Sequence, residues 1–289
     1  MYRRRDHMRG ELPTWLNATL IVGTFAVVAV MELRRPLRTD KDDKLRRNAR
    51  NAAFSALAAA TVAVAEKPVV GPLALRVQSK QLGLLKLFGL PPWAELALSL
   101  LLLDYTLFIW HVLTHKIPLL WRFHKPHHAD LDLDASTALR FHFGELLLSV
   151  PWRAAQVRLI GVSPLGLALW QTLSLVAIMF HHSNMRLPHR IERRLCRLVV
   201  TPRMHGIHHS VVREETDSNW STIFSWPDYL HGTIRLNVLQ DGVTIGVPGF
   251  QDPQQVTIGK ALLMPFGPQV EVEGPTRERL PVPRTVLAV

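Results

Sequence analysis

The sequence predicts an all-α fold: a polytopic helical membrane protein of about four membrane-embedded helices with a cytoplasmic, histidine-rich helical cap. Three observations lead there. Of 289 residues, 48% are hydrophobic and 20% charged, and the mean hydropathy is positive at +0.11, a balance that suits bilayer-embedded helices better than a soluble domain. The apolar residues fall in runs long enough to cross a bilayer. The 14 histidines, finally, gather where those runs meet basic segments.

The first ten residues carry Arg3, Arg4, Arg5 and Arg9, and an apolar run follows from Trp15 to Met31. It ends in Glu32-Leu33-Arg34-Arg35-Pro36 without a small-x-small cleavage site, so it reads as a retained anchor rather than a signal peptide. Arg34 to Arg50 holds eight Lys and Arg, which places that segment in the cytoplasm by the positive-inside rule. The Ala-rich stretch from Asn51 to about Leu75 returns the chain across the bilayer. From Trp93, WAELALSLLLLDYTLFIWHVLTH is a third span, and its last turns carry His111 and His115 to the cytoplasmic face. Glu145–Ile160 and Ser163–Met179 form a hairpin broken at Gly161-Val162-Ser163-Pro164, with Pro151 and Arg153 marking its first arm as re-entrant or interfacial. The expected divisions are 1–92, membrane helices and linker; 93–266, a metal-binding domain; and 267–289, a Pro-rich tail with little structure of its own.

The net charge of +11 and a pI near 10.5 raise nucleic acid as a partner. The basic residues flank apolar runs instead of interleaving with aromatics, which assigns them to membrane topology and argues against nucleic-acid binding. Cys196 is the single cysteine, so any metal here takes nitrogen or oxygen ligands.

Three histidine boxes carry the chemistry. His111 and His115 form H-x3-H; His124, His127 and His128 form H-x2-HH; His205, His208 and His209 repeat that spacing some eighty positions later. Residues three or four apart share a helix face, while the adjacent histidine is turned by about 100° and can reach a second ion. Eight donors exceed the four that saturate a structural zinc and imply two ions. His182, closing the returning apolar run, and His142, in RFHFGE, bring the candidates to ten. His7, His181, His189 and His231 read as capping or surface groups. Asp104, two turns before His111, either orients a ligand histidine or makes a polar contact between helices. Glu145, Glu215, Asp217 and Asp228 are unranked candidates for supporting carboxylates. Imidazole alone does not choose among Zn, Cu, Fe and Ni. A lipid chain in a bilayer offers mainly C–H bonds, which favours iron and O2 without excluding zinc.

With HVLTH, WRFHKPHH, DASTALRFHFGE, FHHSNMRLP, TPRMHGIHHSVVREETDSNW and DYLHGTIR in view, residues 104–266 resemble the fatty acid hydroxylase/sterol desaturase superfamily, and most of all its bacterial branch. The resemblance implies two non-haem irons (Fe2+) and O2-dependent hydroxylation or desaturation of a lipid drawn from the bilayer. It also implies an integral protein of a bacterial inner membrane, with the metal site facing the cytoplasm. By motif the ligands would be His111, His115, His124, His127, His128, His182, His205, His208 and His209, with His142 as a further member. The chain departs from the pattern at Phe143, where Pro is common, and at His231, where an aromatic is common. No dinucleotide fingerprint, P-loop or haem-attachment motif occurs, so electrons must come from a separate reductase, ferredoxin or cytochrome. The alternative reading is a zinc-loaded membrane protein without oxygenase activity.

Overall fold

The structure, a computed structural model, describes residues 12–269 and 274–275. Its helices are α1 (Thr14–Arg34), α2 (Lys44–Thr61) running through a π-helical turn (Val62–Glu66) into α3 (Lys67–Lys80), α4 (Pro92–Lys116), α5 (Pro118–His128), α6 (Phe143–Ile160) and α7 (Pro164–His182). The short helices α8 (His189–Leu195), α9 (Pro202–His208), α10 (Arg213–Thr216), α11 (Trp226–His231) and α12 (Ile258–Leu263) follow. Among the described residues there is no strand, only isolated bridges.

Among the described residues, four helical stretches are long and apolar enough to cross a membrane: Thr14–Arg34, Lys44–Leu87, Pro92–Lys116 and Pro164–His182. At 1.5 Å per residue each rises far enough to match a hydrocarbon core of about 30 Å. α1 leaves Val22, Val27 and Leu33 exposed, as a lipid-facing helix must. α6 is not among the four; it packs against α3 and α4, and α7 packs against α1, α4 and α9. The bundle interior is an apolar cluster built on Val70, Val77, Leu103, Val157 and Trp170. At the bundle end away from the histidines, the α6–α7 turn meets the chain after α3. Gly83 (φ 100°) and Gly161 (φ 92°) touch there, and a Cβ on Gly83 would stand 2.3 Å from the Gly161 backbone. No other residue type fits that approach.

The basic segment at 34–50 does more than set topology. α2 begins at Lys44, capped by the Asp43 side chain on Arg46 N–H, and its first turns are buried against the cap. Arg47 pairs with Asp130 at 3.3 Å and with Asp134, while Arg50 reaches Asp42 at 2.9 Å and Asp130 at 3.3 Å. Asn51 donates to Asp130 at 2.9 Å. The acidic run after the second histidine box thus folds onto α2, directly behind His127 and His128. Glu32, at the end of α1, accepts from Ala135 N–H at 2.9 Å and Asn184 N–H at 2.8 Å, which ties α1 to the segments that follow the second box and His182. Most of the expected tail 267–289, His7 and the N-terminal arginines lie outside the described residues.

Candidate metal centre

Nine of the ten sequence candidates converge in two groups. His111, His115, His124, His128 and His208 form one and His127, His182, His205 and His209 the other, the ligand atoms of each group lying within 4.8 Å of one another. Helix geometry makes the division. On α5, His124 and His128 are four apart and face one group, while His127 faces the other. At the end of α9, His205 and His209 are four apart and share the second group, while His208 turns to the first. The two boxes are therefore read in opposite sense, each giving two donors to one group and one to its neighbour.

The rings are held from behind by acceptors. His111 Nδ1–H donates to Trp220 O at 2.7 Å, His208 Nδ1–H to Ser218 O at 2.9 Å, and His182 Nδ1–H to Ile178 O at 2.9 Å. A carbonyl can only accept, so each of these rings keeps its proton on Nδ1 and its lone pair on Nε2. His124 Nδ1 meets Glu145 Oε1 at 2.9 Å, the carboxylate–histidine arrangement common behind metal ligands. Apart from Ile178 O, which lies one turn back in α7, the carbonyls come from one segment, residues 218–224, in which Ser218, Trp220 and Thr222 each present an oxygen to a histidine; Thr222 serves His181 at 3.0 Å. Two acids hold that segment. Asp228 accepts from Trp220 N–H and Ser221 N–H at 2.9 Å, and Asp104 from Ile223 N–H and Phe224 N–H at 3.1 Å. Asn219 turns the segment at φ 52°, and its side chain ties it to Met204 O and Arg235 O, both at 2.9 Å.

A metal pair fits this donor set. The Nε2 atoms of His182 and His127 are 3.1 Å apart, those of His205 and His182 3.1 Å, and those of His209 and His205 3.0 Å. Donors at right angles on an ion with metal–nitrogen bonds of about 2.1 Å stand about 3.0 Å apart. In the other group, His115 Nε2, His124 Nε2, His208 Nε2 and both nitrogens of His128 are buried without a hydrogen-bond partner. Burial of so many unmet nitrogens is costly unless something satisfies them. Burial, and then the neighbouring histidines, holds His127, His128, His205 and His209 well below the usual imidazole range, and His208 likewise. The rings are accordingly neutral and free to donate lone pairs.

The structure does not bring His142 into either group. It is the N-cap of α6: Nδ1 accepts from Gly144 N–H at 3.0 Å and Nε2–H donates to Leu262 O at 3.1 Å. With both nitrogens spent, it joins α6 to α12. His181, expected as a capping or surface group, is buried, its ring centre 4.1 Å from that of His205. His189 is exposed, and His231 is exposed and bonded to Tyr105 at 3.0 Å, as expected. Of the unranked carboxylates, Glu145 and Asp228 support the site, Asp217 pairs with exposed Lys116 at 2.7 Å, and Glu215 is buried in α10. The carbonyls of residues 218–224 could not have been found in the sequence, because every residue carries one.

Residues 96–233 match the fatty acid hydroxylase family. Over 144 residues the chain is 32% identical to a cholesterol 25-hydroxylase-like protein of Danio rerio, which covers 49% of this chain and 55% of the relative. It is 29% identical over 158 residues to an ornithine lipid hydroxylase of Rhizobium tropici, 54% of this chain and 46% of the relative. It is 28% identical over 144 residues to the cholesterol 25-hydroxylase of Mus musculus, 49% and 47%. The chain spans about half the length of the curated relatives it matches. No solved structure gives a significant match.

Proposed function

Because the chain belongs to the fatty acid hydroxylase/sterol desaturase superfamily through residues 96–233, we propose that it is a membrane-bound lipid hydroxylase using two iron ions, O2 and electrons from an outside donor. The observation that carries this reading is the division of nine histidines into two converging groups at one end of a bundle of apolar helices. His111, His115, His124, His128 and His208 would hold one ion, and His127, His182, His205 and His209 the other. When bound, the ions supply the activation of O2 that attack on an unactivated C–H bond requires. The balance is one C–H bond and one O2, with two electrons and two protons, giving one C–OH and one water; desaturation would return two waters and no inserted oxygen.

The protein's own part is positioning and exclusion. Glu145 and the carbonyls of residues 218–224 fix the imidazoles, so little reorganisation is needed at the reacting centre. Trp220, 2% exposed, closes over His115 with ring centres 4.6 Å apart, which keeps bulk water from this group. The substrate is a lipid that reaches the histidines from the bilayer; the sterol and ornithine-lipid hydroxylases among the relatives support that class. The electrons come from a reductase, ferredoxin or cytochrome, and the histidine end faces the cytoplasm of a bacterial inner membrane.

Anaerobic reconstitution with Fe2+ tests this. Close to two irons per chain are expected, with O2 consumed when reductant is supplied, and lipids extracted from expressing cells should gain the mass of one oxygen or lose that of two hydrogens. A protein that takes only zinc and leaves membrane lipids unaltered beside a competent reductase would sink the oxygenase reading in favour of a metal-binding protein.

A further inference from the structure

Midway along α6 stands an arginine that the histidine site does not use. The Arg153 guanidinium lies over the Trp170 ring, 4.2 Å from its centre, and Nη1 donates to Gln156 Oε1 at 2.8 Å. Its Nε is buried without an acceptor, and so is the indole Nε1 of Trp170. Among the described residues no carboxylate pairs with Arg153 directly. Glu66, on the π-helical turn that packs against α6, is buried, closes that turn between α2 and α3, and accepts at 3.1 Å from Nε2 of Gln171, the neighbour of Trp170 in α7. Gln156 donates to Thr106 Oγ1 at 2.5 Å, so the layer draws on α4, α6, α7 and the α2–α3 junction. Along α4, Thr106 is five residues before His111, and along α7, Gln171 is eleven before His182; these are about 8 Å and about 16 Å of helix rise.

Ionisable residues inside a membrane bundle are costly and tend to mark a path or a binding point, and π-helical turns recur at functional sites. A purely structural pair would close into direct contact. Here the opposite charges form no direct pair, and Arg153 Nε and the Trp170 Nε1 beside it are both unmet. A group that would join these side chains accepts from Arg153 and Trp170, donates to Glu66 and carries no net charge. A hydroxyl meets all three conditions, whereas a carboxylate would face Glu66 and an ammonium would face Arg153.

We propose that Arg153, Trp170 and Glu66 form a subsite for the hydroxyl end of an amphiphilic lipid, which is held by its polar end while a carbon farther along is presented to the histidines. The presentation to the histidines rests on the lipid hydroxylase reading; the subsite itself does not.

The test is photo-crosslinking in nanodiscs without turnover, using hexadecanol with a terminal diazirine against the same chain as hydrocarbon and as acid. With wild-type protein the alcohol should label α4, α6 or α7 at least 5-fold more than either competitor. Glu66→Gln removes the negative charge, so the acid should gain 5-fold or more relative to the alcohol, while Arg153→Met should abolish the alcohol's advantage. Equal labelling by all three probes in the wild type overturns the subsite even if neither variant folds, and so does an unchanged alcohol-to-acid ratio in a folded Glu66→Gln. Selective labelling of a protein that never oxidises lipid would leave the subsite standing and remove the hydroxylase reading; oxidation without selective labelling would do the reverse.

Discussion

The orientation of the His124 ring depends on one carboxylate, Glu145, 2.9 Å from Nδ1. Glu145→Leu removes the acceptor that fixes the ring, and metal affinity should fall about 10- to 100-fold in a competitive chelator titration, while Glu145→Gln, which keeps an acceptor oxygen, should recover most of it. His142→Ala should behave in the opposite way: metal content unchanged, stability lower by about 1 kcal/mol from loss of the cap, read from thermal unfolding of the metal-loaded protein. A loss of one ion in His142→Ala would return that residue to the ligand set. Spacing exposed eight of the nine converging donors, because an imidazole three or four residues from another has few other reasons to recur, and His182 was added by its place at the end of an apolar run. The sequence singled out His182 over the adjacent His181 correctly, but it did not show that His181 is buried beside His205. Nor could it separate His142, which stands in a matching motif but serves as a helix cap.

Between elements, the strongest tie is the ion-pair cluster that fastens α2 to the acidic run behind α5. Arg47 and Asp130 are both fully buried, so Arg47→Met leaves carboxylates without their counter-charge and should cost about 3–5 kcal/mol. Denaturant unfolding measures this; a loss under 1 kcal/mol would mean that the cluster is solvated. Burial works to raise Asp130, but the guanidiniums of Arg140, Arg47 and Arg50 overcome it and hold the carboxyl below its usual 3.8. A group depressed in the folded state stabilises the fold fully above its unfolded value and loses that contribution as pH falls through the folded one. This share of the stability should therefore hold above about pH 4 and decay below it, and the decay should disappear in Asp130→Asn. The sequence showed the apolar runs plainly, since length and composition decide which helices can cross a bilayer. It was silent on this cluster, because eight cations beside a span look the same whether they face lipid headgroups or the Asp residues of a loop eighty positions away.

Over the whole molecule, the ends of α1, α4 and α7 and the beginning of α2 meet at the histidine end, while the Gly83–Gly161 contact marks the other. Exposed single cysteines at Arg213 and Ser79, in a Cys196→Ser background, separate the two sides. With the histidines in the cytoplasm, Ser79→Cys should react with an impermeant maleimide in intact spheroplasts and Arg213→Cys only after the membrane is opened; the reverse pattern would invert the protein. The consecutive pairs His127–His128 and His208–His209 bear on how such a molecule comes to be filled. Each pair is a rigid step along one backbone and sends one ring to each group, so seating an ion in either group aligns the rings that the other needs. Metal uptake should then be steep. At half the saturating dose, native mass spectrometry is expected to find filled and empty chains side by side, whereas a dominant one-ion species would show that the two groups load independently.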